Sequence, residues 1–242
     1  MRSHMAFLIL AVLLLASGCA TNYVTPGAGV SIEAISDFGI KERFRTKPAA
    51  QFPARIAVVR IQQSGYSSCG NRGYGRGNYS VVTTRDIEQD EHFEKLSSLP
   101  QVAGLATLNR LLLPEKLQSV KDLRLGAASL HADMLLLYTL DTSFKIRGQD
   151  IGPLAVVTLG FLPNKKAYVT TTASGVLFDV RTGYVYGVAE ASHSTSHIAS
   201  TWSREQAIDN ARLETEKEAF SELVDELCQL WPGVVKEYAG EG

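Results

Sequence analysis

An unbroken apolar run near the start of the chain decides which residues are free to fold. From Ala6 to Ala16 the sequence reads Ala-Phe-Leu-Ile-Leu-Ala-Val-Leu-Leu-Leu-Ala, eleven residues with no polar side-chain atom. A helix packed on one side of a soluble core needs a polar face, and this run has none. A membrane-spanning helix needs about 20 apolar residues, so the run reaches roughly half-way across the hydrocarbon. What remains is the hydrophobic segment of an export signal, preceded by Arg2 and followed by small residues. The folding unit is therefore expected to begin after it, outside the cytoplasm.

Ala16-Ser17-Gly18-Cys19 follows at once. It resembles the bacterial lipobox. Small side chains let an extended backbone enter a peptidase cleft, and the cysteine sulfur takes the diacylglycerol. Ala16 stands where Leu is commoner. Residues 1–18 are read as a lipoprotein signal peptide, with cleavage between Gly18 and Cys19 and lipid attachment at Cys19. The resemblance implies three acyl chains. One chain binds marginally and stable anchoring takes two signals, so three make the attachment effectively permanent. Ala20 is not the Asp that resembles an inner-membrane retention signal. The expected location is the periplasmic face of the outer membrane. The bilayer is then one partner, and apart from the covalent lipid no cofactor is expected.

The charge balance excludes one class of partner. Twenty-four Lys+Arg face 25 Asp+Glu, a formal net charge of −1 that becomes −2 once Arg2 is removed with the signal. Neither value drives binding to nucleic acid. Apolar residues at 45% and charged residues at 20% are those of a globular chain. Of three cysteines, lipidation leaves Cys69 and Cys228. The periplasm oxidises thiols, so these two form a candidate disulfide. Cys228 also borders an apolar stripe, where it can be a buried thiol.

Residues 19–53, rich in Thr, Pro, Gly and Ala, read as the lipidated N-terminus and a flexible tether. Arg55–Ile61 (RIAVVRI) is β-branched and almost continuously apolar, as in a sheet interior. A Gly-rich loop follows, then a second strand over Tyr79–Ile87. From Asp90 the pattern turns helical: Phe93, Leu96, Leu99 and Val102, although Pro100 should interrupt the segment, and Leu105, Leu108, Leu111 and Leu112 continue the pattern to Pro114. Lys116–Leu130 predicts another amphipathic helix. Ala132–Leu140 restarts the sheet and runs to about Ile146. Tyr168–Val180 and Tyr184–Ala191 predict a hairpin across Asp179-Val180-Arg181-Thr182-Gly183, with Asp capping the turn and Gly supplying φ > 0. Ser203 and Gln206 resemble a capping box. Phe220, Leu223, Val224, Leu227 and Trp231 then give a helical stripe, which Pro232 is expected to stop. The fold class is α+β: a mainly antiparallel, mixed sheet backed by helices, with a long C-terminal helix. Residues 54–232 form the single periplasmic domain and 233–242 a flexible tail.

No constellation specifies a reaction. Gly70-Asn71-Arg72-Gly73-Tyr74-Gly75-Arg76-Gly77 follows a strand, but its spacing is neither GxGxxG nor a Walker motif, and a strand comes next. Tyr66, Arg72, Tyr74 and Arg76 are candidates for partner contact, against the plainer reading of a solvated loop. His193 and His197 would share a metal on a helix, yet four Ser/Thr residues among Ser192–Ser196 argue against a helix there, and the Glu of HExxH is missing; the segment reads instead as a polar connection from the hairpin to the terminal helix. No catalytic and no metal-ligating residues are assigned. Leu154–Leu162 (LAVVTLGFL) reads either as a buried strand or as a patch for partner or membrane contact.

The order of lipobox, tether, RIAVVRI strand, helices and ADMLLLYTL strand, then the LFDVRTGYVYG hairpin and a terminal helix, resembles CsgG-like and penicillin-binding-protein-activator-like periplasmic lipoproteins. In these a strand, a DxxTG turn and a returning strand recur, here Asp179 to Gly183. HADMLLLYTLDTSF and AYVTTTASGVLFDVRTGYVYG are similar to the rhombotail lipoprotein family over most of residues 55–231. The resemblance implies an outer-membrane-anchored α+β domain of undefined molecular role with no known catalytic residues. The leading expectation is a membrane-anchored, non-catalytic binding, scaffolding or regulatory module with an envelope protein as partner. The alternative is an oligomeric CsgG-like export or channel component, although such pores insert two hairpins per subunit and this chain has room for one, near 145–167. A metal-dependent hydrolase would rest on His193 and His197 alone.

Overall fold

The computed structural model describes residues 39–68, 71–148, 165–199 and 204–240. A short helix α1 (Ile40–Arg45) precedes strand β1 (Ala54–Gln63). Then come β2 (Arg76–Gly77), β3 (Tyr79–Val82), α2 (Asp90–Ser97), β4 (Val102–Thr107), a 3-10 turn at Arg110–Leu112, β5 (Lys116–Leu117) and α3 (Val120–Ser129). Three strands of 15 residues follow, β6 (Met134–Gly148), β7 (Lys165–Asp179) and β8 (Val185–Ala199). The 35-residue helix α4 (Arg204–Tyr238) ends the fold.

Six strands make one mixed sheet in the order β3-β1-β6-β7-β8, with β4 also on β1. β4 and β3 share one edge of β1 end to end: β4 runs parallel along Ala54–Val58, and β3 antiparallel along Arg60–Gln63. β6 lies parallel on the other edge, and β6, β7 and β8 form an antiparallel meander. The α+β class with a long terminal helix is the observed one.

The near-continuous apolar sequence of β1 and β6 follows from cover on both faces. Ile56, Val58, Met134, Leu136 and Leu177 join Phe220, Leu223, Val224, Leu227 and Trp231 of α4 in one core. Val59, Ile61, Leu135, Leu137, Val176 and Phe178 join Leu117 and Leu123 in a second core on the opposite face.

Several expectations change, among them the helix read from Lys116, which is strand at Lys116–Leu117 and helical only from Val120. The helix read through Leu112 ends at Ser97, and Val102–Thr107 is a strand. Pro100 and Gln101 (φ 63°) break the helix, and the three-residue leucine spacing then mimics a helical face. Leu105 actually packs with the α4 core and Leu108 with the other. The second strand is shorter than read, ending at Val82. Pro232 does not end α4, which continues to Tyr238 and buries Val234. Burial of that last turn outweighs the one hydrogen bond a proline removes. The residues read as a tail from 233 are thus helical to Tyr238. The tether is also shorter than 19–53 implies, because residues 49–52 are bound to the domain.

Candidate binding surface

The DxxTG turn is built around one buried carboxylate. Asp179 closes β7 and is fully buried. Its Oδ1 accepts the backbone N–H of Arg181 and of Thr182, both at 2.8 Å, which holds the turn. Gly183 completes it at φ 77°, a conformation side chains disfavour. Oδ2 accepts two further bonds that the hairpin does not need: the Tyr186 hydroxyl at 2.7 Å and the Ala49 N–H at 2.6 Å. The Tyr186 oxygen in turn accepts the Ala50 N–H at 3.0 Å. Arg181 donates to the Ala49 carbonyl at 3.3 Å and pairs with Asp133 at 2.9 Å. Phe52 packs on Trp231, centroids 6.0 Å apart. Burial pushes the Asp179 pKa up, but the four donors outweigh it and hold the carboxyl below its usual range. A β-bulge opposite Leu177/Phe178 brings Tyr186 to this face beside Gly187.

A buried ionic network lies further along the α4 face. Arg60 of β1 pairs with Glu88 at 3.1 Å and Asp86 at 2.9 Å, and Tyr138 donates to Glu88 at 2.5 Å. Burial works against the Arg60 charge, yet Glu88 and Asp86 prevail and its pKa is raised. On α4, Arg212 holds Asp209 at 3.0 Å and Glu216 at 2.7 Å, and Thr142 donates to Glu216 at 3.0 Å. Burial raises the Glu216 pKa despite Arg212. The Arg60 and Glu88 side chains are 1% and 3% exposed, so the pair is shielded from solvent and holds β1, β6 and the segment before α2 together. Arg60 was legible as a problem: a charge inside RIAVVRI must find partners if the strand is interior.

The four loop candidates separate. Tyr66 is buried at 6% exposure, so it is not a contact residue; the Gly-rich segment folds back over it, with the Gly73 N–H on its carbonyl at 3.0 Å. Tyr74 is half-buried and donates to the Leu113 carbonyl. Arg72 and Arg76 are exposed, and Arg76 lies 3.7 Å from Glu115. Cys228 is a half-buried free thiol. Cys19, Cys69, Ser203 and Leu154–Leu162 lie outside the described residues.

His193 and His197 stand on strand β8, not on a polar connection. Four residues along a strand span roughly 13 Å, about twice the rise of the helical i, i+4 pair, so the helical spacing that favours a shared ion is absent. His193 instead hydrogen-bonds Glu222 of α4 at 2.9 Å.

Beyond the second core, the face of β6–β8 opposite α4 is polar. Register aligns Asp141, Thr172 and Ser192 in one row across three strands, and Ser143, Thr170 and Ser194 in the next. Thr172 bonds Ser192 at 2.8 Å, Thr170 bonds Ser194 at 2.9 Å, and Ser174 bonds Glu190 at 2.9 Å. Tyr168, 40% exposed, continues the array between Lys145 and Ser196. A lattice of hydroxyls on a regular sheet can donate and accept along its length, which suits polar recognition. A gap of about 30 Å³ lined by Ile56, Leu96, Leu136, Leu227, Leu230 and Trp231 has no polar lining and is about the volume of one water.

No protein-family model matches the chain, and no curated protein matches it. Among solved structures, it is similar to "a putative lipoprotein from Caulobacter crescentus CB15" at 12% identity and a TM-score of 0.27, covering 50% of this chain and 83% of that one. It is also similar to protein XCC0632 from Xanthomonas campestris, at 10% identity and a TM-score of 0.36, covering 78% and 93%. A third is CT253 from Chlamydia trachomatis, at 12% and 0.30, covering 75% and 97%.

Proposed function

We propose that this chain is a lipid-anchored bacterial envelope lipoprotein, held by Cys19 at the periplasmic face of the outer membrane, that works as a non-catalytic binding or scaffolding module. The observation that carries the reading is the opposition of two ends. Asp179 fixes the incoming tether at one end of β6–β8, and the Thr170 and Thr172 rows lie roughly 23–30 Å further along the same strands. An anchored domain with its polar array held away from the point of attachment is arranged to meet another envelope component. The apolar signal and Ala16-Ser17-Gly18-Cys19 support the anchor. The buried acids support a structural role for themselves, since arginines and hydroxyls occupy them.

Two experiments test the reading. Palmitate labelling of cells expressing the full chain is expected to mark it, and Cys19→Ser to abolish the label; an unlabelled wild type would remove the anchor. Cross-linking in intact cells should yield one reproducible partner, lost when Thr170 and Ser192 are both replaced by Glu. No partner in repeated trials would count against the binding role, and a ring of identical copies in detergent would favour the export component instead.

A further inference from the structure

The sheet ends on one side at β8, and from Gly187 to Ser194 its outer edge has no backbone hydrogen bond among the described residues. These eight residues span roughly 26 Å. Natural edges of that length are blunted by lysine, proline or a bulge. Here the bulge lies before Gly187, and Gly-Val-Ala-Glu-Ala-Ser-His-Ser contains no proline, no lysine and one permanent charge, Glu190. Such an edge accepts a further strand.

Helix α4 determines which strand. Glu222 is hydrogen-bonded to His193 of β8, so that side of the helix faces the strand. Glu218 and Glu226 stand one turn before and after it, on the same side, and both are exposed. Lys217 lies about 100° round the helix from Glu218. The open edge therefore runs beneath a row of three carboxylates. A second copy paired edge to edge would bring two such rows together, a like-charge contact that disfavours self-pairing.

We propose that the Gly187–Ser194 edge is a docking site for an extended, lysine- or arginine-bearing segment of a partner protein, added as a further strand under the carboxylates of α4. The proposal rests on the binding-module reading and gives its partner a chemistry.

The test uses the full-length lipidated protein in detergent and two synthetic ten-residue peptides. One alternates Lys with Val and Thr; the other carries Glu in place of Lys. The Lys peptide is expected to bind, to slow amide hydrogen exchange over residues 187–194, and to weaken with added salt. The double variant Glu218→Lys/Glu226→Lys, at two exposed positions, should weaken it roughly tenfold. The Glu peptide should not bind. Equal binding of both peptides, protection elsewhere, no binding, or a concentration-dependent dimer strengthened by the double variant would each overturn the proposal. The peptide pair keeps the test decisive even where the double variant fails to fold. A cross-linked envelope partner indifferent to Glu218→Lys/Glu226→Lys would remove this edge site while leaving the binding role intact. Peptide binding at the edge without any cross-linked partner would do the reverse.

Discussion

Asp179 holds two stretches of backbone that are 130 residues apart, the turn of its own hairpin and the chain arriving at Ala49. Replacing it by Ala orphans four donors around a buried site, which should cost about 3 kcal/mol in urea unfolding. Tyr186→Phe removes one of those donors and should cost about 1 kcal/mol. The pH dependence has a definite sign. The folded carboxyl is held below its usual range, so its contribution is complete above the unfolded value of about 3.9 and disappears as pH falls through the folded one. Denaturation curves of the wild type and Asp179→Asn should therefore differ at pH 6 and converge in acid; a constant difference down to pH 2 would contradict the clamp. Glu88→Ala breaks a buried pair and deprives the Tyr138 hydroxyl of its acceptor. Removing one partner of such a pair typically costs about 3–5 kcal/mol, and the same loss is expected here.

Among the elements, the meander and the terminal helix were legible because their signals are local. The DxxTG turn announces a hairpin, and the stripe from Phe220 to Trp231 announces a helix face. β4 was not legible. Leu105 of β4 packs in the α4 core while Leu108, just past its end, packs in the other, a separation set by parallel pairing with β1 and by no local pattern. The Ser/Thr content of 192–196 pointed to a connection, yet cross-strand hydroxyl pairs with β7 make it strand. The candidate binding surface was legible only in its residue types. That Thr170, Thr172, Ser192 and Ser194 form rows depends on register, and that Glu222 meets His193 depends on the packing of α4. The end of α4 makes a clear test. Pro232 sits in a helix that continues past it, exposed, while Val234 is buried. Pro232→Ala should raise stability by about 1–3 kcal/mol, measured as an increase in the urea midpoint at unchanged slope. Were the helix to stop at Trp231, the substitution would change almost nothing.

At the scale of the whole molecule, the domain starts before its first strand. Ala49, Ala50 and Phe52 contact Asp179, Tyr186 and Trp231, whereas Arg45 and Lys47 are exposed. Limited trypsin digestion should cut after Arg45 and leave a fragment from Thr46 with the full stability of the uncut domain. A chain shortened to begin at Ala54 should melt several degrees lower, since it loses the Asp179 and Trp231 contacts. Equal melting temperatures would show that residues 46–53 add nothing.

The clamp also determines how the molecule would respond to being pulled. Tension from the proposed Cys19 anchor would arrive at Ala49, next to the end of β7, while a partner on the Thr170 and Thr172 rows, as proposed, would pull from far along the same strands. The line of force then runs nearly parallel to β6, β7 and β8. Force in that direction shears the ladders, so many hydrogen bonds must break together, whereas force across the strands would open them one at a time. The point where the tether is tied thus gives the domain its strong axis, and the same partner bound near the DxxTG turn would meet a much weaker one.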